Sequence, residues 1–267
     1  MPTHSNIDPA ANHIRIVLVG TQHPGNIGSA ARALKTMGLS RLVLVAPERY
    51  PDIEAHALAA GADDVLATAP VLGTLAEAVA DCRLVLGCTA RSRRVALEEH
   101  LPRAAASLVT AQAGGGAEVA LVFGRERTGL TNDELQLCHA GVHIPANPEY
   151  SSLNLAAAVQ VLAYEIRMAL LQSGGPEAST AAIQTEDEPA SHAQLEGFFA
   201  QLADTLDAID FHKGRAPESA MRKLRRLFLR SALDVREVRL LRGILADAQR
   251  MARLADGKAP SGTPPLS

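Results

Sequence analysis

Three short polar segments carry the side chains best suited to chemistry. They are Thr-Gln-His-Pro-Gly-Asn (21–26), Gly-Arg-Glu-Arg-Thr-Gly (124–129) and Asn-Pro-Glu-Tyr-Ser-Ser-Leu-Asn-Leu (147–155). The third runs without a spacer into an apolar helix predicted over residues 153–171, for which Ser151 and Ser152 are N-cap candidates. Such a helix start presents unpaired N–H groups and partial positive charge, which favours a polar ligand. An ordinary capped core helix has the same pattern.

Five apolar runs predict the strands that position these segments. The runs are Ile14–Val19, 42–45, 84–86, Val119–Phe123 and 142–144. Because they are apolar throughout rather than alternating, they predict strands buried on both faces of a mostly parallel sheet. Alanine-rich helical segments lie between them, at 27–37 and 74–80, so the fold class is α/β with layered helices.

The polar segments follow predicted strands at their carboxyl ends. Segment 21–26 follows the first strand, 124–129 the fourth and 145–152 the fifth, while Thr-Ala-Arg-Ser-Arg-Arg (89–94) follows the third. Open α/β sheets bind ligands beyond the carboxyl ends of their strands. The shared placement therefore predicts one ligand site built from these loops.

Composition and missing motifs exclude several classes of protein. A chain of 267 residues with 47% apolar content can bury a full core. Neither a dinucleotide-binding glycine fingerprint, a phosphate-binding loop nor a hydrolase nucleophile elbow is present. Three cysteines without a Cys-x-x-Cys pair predict a cytoplasmic protein with no disulfide and no metal site. A polar N-terminus and the lack of a long apolar run predict no signal peptide and no membrane span.

The last third of the chain is a separate basic region. Residues 213–242 contain ten basic and three acidic residues, a net charge of +7, whereas the whole chain carries −3 and the remainder therefore −10. This contrast favours an anionic partner such as RNA, although a solvated face is the alternative. A helix with an apolar stripe precedes this region, and one helical segment holds the candidate RNA-binding residues. The stripe is Leu195, Phe199, Leu202, Leu206 and Ile209, and the RNA-binding candidates are Arg222, Lys223, Arg225, Arg226 and Arg230.

The predicted organisation has five parts. A flexible N-terminus (1–12) precedes a large α/β domain (13–171), and a Gly-, Pro- and Ser-rich linker (172–190) leads to a basic helical domain (191–256). A disordered tail (257–267) ends the chain.

Taken together, the motifs resemble a known family. His-Pro-Gly-Asn-Ile-Gly-Ser-Ala-Ala-Arg (23–32), Phe-Gly-Arg-Glu-Arg-Thr-Gly-Leu (123–130) and segment 147–155 are similar to the three signature motifs of the SPOUT methyltransferases, in the TrmH-like branch of RNA 2′-O-ribose methyltransferases. The resemblance covers roughly residues 13–171. It resumes in the basic region, at Met-Arg-Lys-Leu-Arg-Arg-Leu-Phe (221–228) and Leu-Arg-Gly-Ile-Leu-Ala (241–246).

The resemblance implies a fold and an activity. The fold would be a mostly parallel sheet with a C-terminal trefoil knot, followed by a small all-α domain. The protein would be a homodimer that uses S-adenosyl-L-methionine to methylate the 2′-oxygen of the ribose of cytidine or uridine at position 32 of the tRNA anticodon loop.

The resemblance also implies roles for individual residues. Arg32 would activate the ribose hydroxyl beside the partner's cofactor, or orient it, since a guanidinium stays protonated and suits phosphate geometry. The implied catalytic residues are Arg32, Asn26, Glu126, Ser152 and Asn154, with loop-bracing hydrogen bonds as the alternative role of Glu126 and Asn154. The implied cofactor-binding residues are Cys88, Thr89, Ala90, Gly124, Ile144, Ser151, Ser152 and Leu153.

Two alternatives stay open at the level of sequence. A related enzyme of the same class could act on ribosomal RNA or on another tRNA position, but the C-terminal extension favours the anticodon-loop activity. A non-catalytic RNA-binding protein with the same fold is an alternative from another class, and it need not bind S-adenosylmethionine.

Overall fold

The structure, a computed structural model, describes residues 8–89, 97–173, 189–214 and 216–256. The chain divides into two compact units between residues 184 and 185. Most of the predicted linker, the tail 257–267 and residues 1–7 lie outside the described residues. Part of the predicted flexible N-terminus is ordered, because Pro9–His13 forms a 3₁₀-helix that buries Ala10 and Ala11.

The first unit is built on a seven-stranded, fully parallel sheet with the strand order β3-β2-β1-β6-β4-β7-β5. Its strands are β1 (Ile14–Val19), β2 (Arg41–Val45), β3 (Val71–Leu72), β4 (Leu84–Thr89), β5 (Glu99–His100), β6 (Val119–Phe123) and β7 (Ala140–His143). The five predicted strands and their parallel arrangement are confirmed. The two that the apolar pattern missed, β3 and β5, have two residues each and lie at the sheet edges, where they are too short to show a periodicity.

Helices cover both faces of the sheet, as the uniformly apolar strands predict. They are α1 (Pro24–Thr36), α2 (Ile53–Ala59), α3 (Asp63–Thr68), α4 (Leu75–Val79), α5 (Pro102–Gly114), α6 (Asn132–Gln136) and α7 (Leu155–Ser173). One core contains side chains of α1, α5 and α7, and the other contains side chains of α4 and α6. Helix α1 approaches α2 closely at Gly28, where a Cβ atom would lie 2.0 Å from the carbonyl oxygen of Ala55.

Helix α7 is the core helix that the sequence predicts. Five apolar residues spaced three or four positions apart along it are all buried: Leu155, Val159, Leu162, Ile166 and Leu170. By length and composition α7 could also cross a membrane, a property that the core helix of a globular domain can share. The helix begins at Leu155 rather than at residue 153. The trefoil knot stays a prediction.

The second unit is helical. It contains α8 (His192–Ala208), α9 (Pro217–Arg230) and α10 (Val235–Asp256) around a small core of Leu195, Phe198, Phe199, Leu202, Leu206 and Val238. The prediction that Ile209 belongs to the apolar stripe of this helix was wrong. The helix ends at Ala208 and Asp210 takes a positive φ of 51°, so Ile209 leaves the apolar face and is 48% exposed.

An ion-pair cluster joins strands β1, β2 and β6 at their amino ends. The Glu118 carboxylate accepts hydrogen bonds from Arg15 Nη2 at 2.5 Å and from Arg41 Nη1 at 2.5 Å, and it lies 2.9 Å from His13 Nδ1. Arg15 is buried and also pairs with Asp81. Burial alone would raise the pKa of Glu118, but the hydrogen bonds from Arg15, His13 and Arg41 outweigh it and hold the pKa below its ordinary 4.5.

We expect Glu118→Gln to lower the free energy of unfolding by about 2 kcal/mol at neutral pH, because among the described residues it leaves the buried Arg15 with Asp81 as its one carboxylate partner. Since the pKa of Glu118 is lowered in the folded state, this contribution is complete above about pH 4.5. It disappears as the pH falls through the lowered value. Urea denaturation at several pH values measures both effects.

The matched control is Asp64→Asn, which breaks the exposed ion pair with Lys35. Because that pair is exposed to solvent, the variant should lower the free energy of unfolding much less than Glu118→Gln does. Equal losses for the two variants would contradict a special role for the Glu118 cluster.

Candidate active site

A cavity of about 480 Å³ opens at the carboxyl ends of β4, β6 and β7. This is the edge at which the sequence places the ligand loops, and the volume is typical of a site for a small molecule. Apolar side chains, including Phe123, Leu130 and Ile144, form part of its wall. Loop residues from 124–129 and 151–153 line it as well.

The structure brings the predicted cofactor-binding residues together. Those it describes all line this cavity: Cys88, Thr89, Gly124, Ile144, Ser151, Ser152 and Leu153. Ala90 lies outside the described residues. The binding role of these residues stays a prediction, but their convergence from three strand ends is now a structural fact.

Two features make the cavity suited to a polar ligand. The Thr89 hydroxyl is buried and has no hydrogen-bond partner within the described part of the chain, so a ligand atom could satisfy it. Gly124 lies so close to the loop it faces that a Cβ atom would be 2.2 Å from Leu130 N and Gly129 C. Any side chain at position 124 would therefore push this wall of the cavity apart.

The Glu126 carboxylate holds the loop after β1 against the loop after β6. Its oxygens accept hydrogen bonds from the backbone N–H of Gln22 at 3.0 Å, the N–H of His23 at 3.2 Å and Asn26 Nδ2 at 2.9 Å. Burial alone would raise the pKa of Glu126, but the hydrogen bonds from Asn26, Gln22 and His23 prevail and lower it below 4.5. The group is therefore a carboxylate at neutral pH and serves as an acceptor.

Asn154 extends this network to the loop after β7. Its Nδ2 donates to Asn26 Oδ1 at 2.9 Å, and its Oδ1 accepts from the N–H groups of Ala156 and Ala157 at 2.9 and 3.3 Å. Asn154 is thus the N-cap of α7, and the prediction that Ser151 or Ser152 caps the helix was wrong. Because the cap lies further along, both serines stay in the loop and line the cavity.

These contacts bear on the predicted catalytic residues. The polar atoms of Asn26, Glu126 and Asn154 bond to one another or to nearby backbone, which is the loop-bracing arrangement. Ser152 lines the cavity and is exposed. Arg32 lies on an exposed side of α1 and is not part of the wall of this cavity.

The Cys88 side chain also lines the cavity but is not a nucleophile. Burial raises the pKa of its thiol to about 12, so the sulfur stays protonated at neutral pH. It serves as a small apolar part of the wall.

Sequence reasoning missed part of the wall. Phe123 ends β6, and its position at the carboxyl edge of an apolar run could have identified it. Leu135 comes from the short helix α6, which no motif marks. Arg127 and Thr128 lie inside segment 124–129, but nothing in their spacing separates cavity residues from loop residues.

The candidate RNA-binding residues of α9 divide into two groups. Arg222, Lys223, Arg226 and Arg230 are exposed. Arg225 instead turns inward, where it pairs with Glu196 and its guanidinium lies 4.5 Å from the centre of the Phe199 ring, leaving its side chain 14% exposed. Arg225 therefore holds α9 to α8, and the exposed four are the surface charge.

Comparison with protein families matches both units of the chain. Residues 13–164 match the SpoU rRNA Methylase family, and residues 193–257 match the C-terminal domain of the tRNA methyltransferase TrmJ.

Individual proteins match over nearly their whole length. The tRNA (cytidine/uridine/adenosine-2′-O-)-methyltransferase TrmJ of Pseudomonas aeruginosa is 50% identical over 248 residues, which cover 91% of this chain and 96% of the relative. The tRNA (cytidine/uridine-2′-O-)-methyltransferase TrmJ of Klebsiella pneumoniae is 52% identical over 239 residues, or 89% and 97% of the two chains. The crystal structure of TrmJ from Zymomonas mobilis (Z. mobilis ZM4) superposes with a TM-score of 0.75 at 37% identity and covers 87% of this chain and 97% of that one. The predicted resemblance is confirmed.

We expect Glu126→Gln to loosen the loop after β1. The amide leaves one acceptor oxygen for three donors, so at least one hydrogen bond is lost at a cost of about 1–2 kcal/mol. Amide hydrogen exchange at residues 22–26 should become faster. The matched control is Glu48→Gln, because Glu48 is exposed and its side chain accepts from the Gln22 side chain. Unchanged exchange in Glu126→Gln, or an equal effect of Glu48→Gln, would contradict the bracing role.

Proposed function

Because the chain belongs to the SpoU rRNA methylase family and groups with the TrmJ methyltransferases, we propose that it methylates the ribose 2′-oxygen at position 32 of the tRNA anticodon loop, using S-adenosyl-L-methionine. The main support for this proposal is that one chain matches two family models, a SpoU methylase domain followed by a TrmJ C-terminal domain. Cytidine and uridine are the proposed target nucleosides, with adenosine in addition, as the name of the Pseudomonas relative has it. We place this activity in the cytoplasm.

The residues of the cavity fit the proposed cofactor. The unpartnered Thr89 hydroxyl and the loop backbone at 151–153 offer polar groups, and the apolar side chains Ile144 and Leu130 offer a surface for a flat ring. Because Gly124 has no side chain, its backbone can lie close to Gly129 and Leu130 in the cavity wall. S-adenosyl-L-methionine, when bound, supplies a methyl group on a positively charged sulfur, which is a good leaving group.

The protein's own contribution is then alignment. The 2′-hydroxyl has to point its oxygen at the methyl carbon and lose its proton, and both requirements depend on positioning. The exposed Ser152 hydroxyl at the cavity mouth can hydrogen-bond the ribose. Arg32 orients the hydroxyl and the adjacent phosphate through its planar guanidinium, a role that needs no deprotonation. Asn26, Glu126 and Asn154 hold the loops that carry these groups.

A homodimer would complete this arrangement. Arg32 is exposed on α1 and is not among the residues that line the cavity of its own chain. We propose that it acts at the cavity of the partner subunit. Each active site would then need both chains.

The exposed basic face of α9 is the proposed docking surface for the tRNA backbone. Arg222, Lys223, Arg226 and Arg230 are exposed there, in a chain that is acidic overall. Such a surface supplies affinity that does not depend on sequence and that falls with salt. Selection of the nucleotide is left to the cavity.

Ribosomal RNA is the second candidate substrate, because the matching family is described by rRNA methylation. The C-terminal match favours tRNA over it.

We expect the full chain, incubated with unmodified tRNA and S-adenosylmethionine, to yield a 2′-O-methylated nucleoside at position 32, identified by nuclease mapping and mass spectrometry. Arg32→Ala should bind S-adenosylmethionine with unchanged affinity in calorimetry, yet transfer methyl groups about 100-fold more slowly, a loss typical of a misplaced reacting group. Methylation of a base, or of ribosomal RNA in preference to tRNA, would contradict the proposed substrate. Unchanged turnover of Arg32→Ala would remove Arg32 from the mechanism.

We expect the triple variant Arg222→Gln, Lys223→Gln, Arg230→Gln to bind tRNA more weakly and with a shallower salt dependence. The slope of log affinity against log salt should fall by about 2–3, roughly one per lost phosphate contact. Arg225→Gln is the control on the same helix, since its loss should lower the stability of the second unit and leave the slope unchanged. A triple variant with the wild-type slope would contradict docking on α9.

A further inference from the structure

Tyr150 is a large aromatic side chain that the fold does not use. It is 82% exposed and belongs to none of the hydrophobic cores formed by the described residues. The chain has three tyrosines, and Tyr50 by contrast is half-buried, with its hydroxyl donating to the Leu66 carbonyl. Stability therefore does not explain an aromatic ring at position 150.

Tyr150 directly precedes the cavity wall in sequence. The two residues that follow it, Ser151 and Ser152, form part of that wall. A nucleotide that brings its ribose to the cavity would therefore approach the segment that carries the exposed ring.

The turn that carries Tyr150 is braced. The N–H of Tyr150 donates to the Asn147 carbonyl at 2.9 Å, and the N–H of Glu149 donates to Asn147 Oδ1 at 3.1 Å. Pro148 fixes its own backbone φ within the turn. On the other side, Asn154 ties the segment to Asn26. The ring is therefore presented by a turn held at both ends.

We propose that Tyr150 stacks on the base of the nucleotide being methylated and so positions its ribose at the cavity. This inference rests on the proposed function and names a residue that selects the orientation of the substrate. Proteins that recognise single-stranded RNA loops stack the unpaired bases on aromatic side chains. A stacking platform accepts purines and pyrimidines alike, because every base has a π-face. It therefore suits an enzyme that acts on cytidine, uridine and adenosine, for which hydrogen bonds to one base edge would be too selective.

The test compares full-length Tyr150→Ala, Tyr150→Leu and Tyr150→Phe with wild type on two tRNA substrates. One carries the natural base at the nucleotide that wild type methylates, and the other carries an abasic ribose there. The matched control is Glu149→Ala, an exposed neighbour in the same turn. Affinity for S-adenosylmethionine and the oligomeric mass are measured for every variant.

On the natural substrate, kcat/KM should fall about 5- to 100-fold for Tyr150→Ala and Tyr150→Leu, the range expected for one lost stacking contact. Tyr150→Phe should keep wild-type activity, because it retains the ring. On the abasic substrate, wild type should fall to the level of Tyr150→Ala, and Tyr150→Ala should lose nothing further. Cofactor affinity, mass and the activity of Glu149→Ala should stay unchanged.

Several results would overturn the proposal. An equal loss from Tyr150→Ala on both substrates would show that the ring does not contact the base. A change in mass or in cofactor affinity would assign Tyr150 to a subunit contact or to the cofactor wall instead. If wild type leaves tRNA unmodified, the proposed function fails, and the stacking role fails with it.

Discussion

The cavity depends on a chain of hydrogen bonds that runs from Glu126 through Asn26 to Asn154. These side chains come from the loop after β6, the first turn of α1 and the loop before α7. The first pair is 100 positions apart in the sequence and the second pair 128. The parallel sheet brings the loops to one edge, since every strand ends there. The hydrogen bonds then join these three segments directly to one another. The start of α7 is fixed by the same network, because Asn154 is both a link and the helix cap.

The opposite ends of the central strands have a different role. At the amino ends of β1 and β6, Glu118 and Arg15 form an ion-pair cluster that has no part in the cavity. At the carboxyl ends, the Glu126 carboxylate holds the loop after β1 against the loop after β6, which lines the cavity. Both carboxylates have a pKa below the ordinary value, but they have different roles. Glu118 contributes to the stability of the sheet, and Glu126 contributes to the shape of the site.

Much of this could be predicted from sequence, for identifiable reasons. Strands β1 and β6 were predicted with their observed bounds because a strand buried on both faces leaves a continuous apolar run. The carboxyl-end loops followed from the parallel topology. The two-residue edge strands and the end of α8 before Ile209 could not be predicted, because they depend on tertiary contacts and on one positive φ. The inward orientation of the Arg225 side chain could not be predicted from sequence either, because its partner Glu196 lies on another helix.

We infer that this hydrogen-bonded chain joins the loop after β6, the first turn of α1 and the loop before α7 into a single site. A double-mutant cycle tests it, with Asn26→Ala and Asn154→Ser as the single changes and the affinity for S-adenosylmethionine as the readout. Serine can still cap α7 but is too short to keep the bond to Asn26, so the cycle isolates that bond. Each single change is expected to weaken the binding of S-adenosylmethionine. The double variant should bind little more weakly than either single variant, with a coupling free energy of about 1 kcal/mol or more. Strictly additive losses, or unchanged affinity in both single variants, would contradict it.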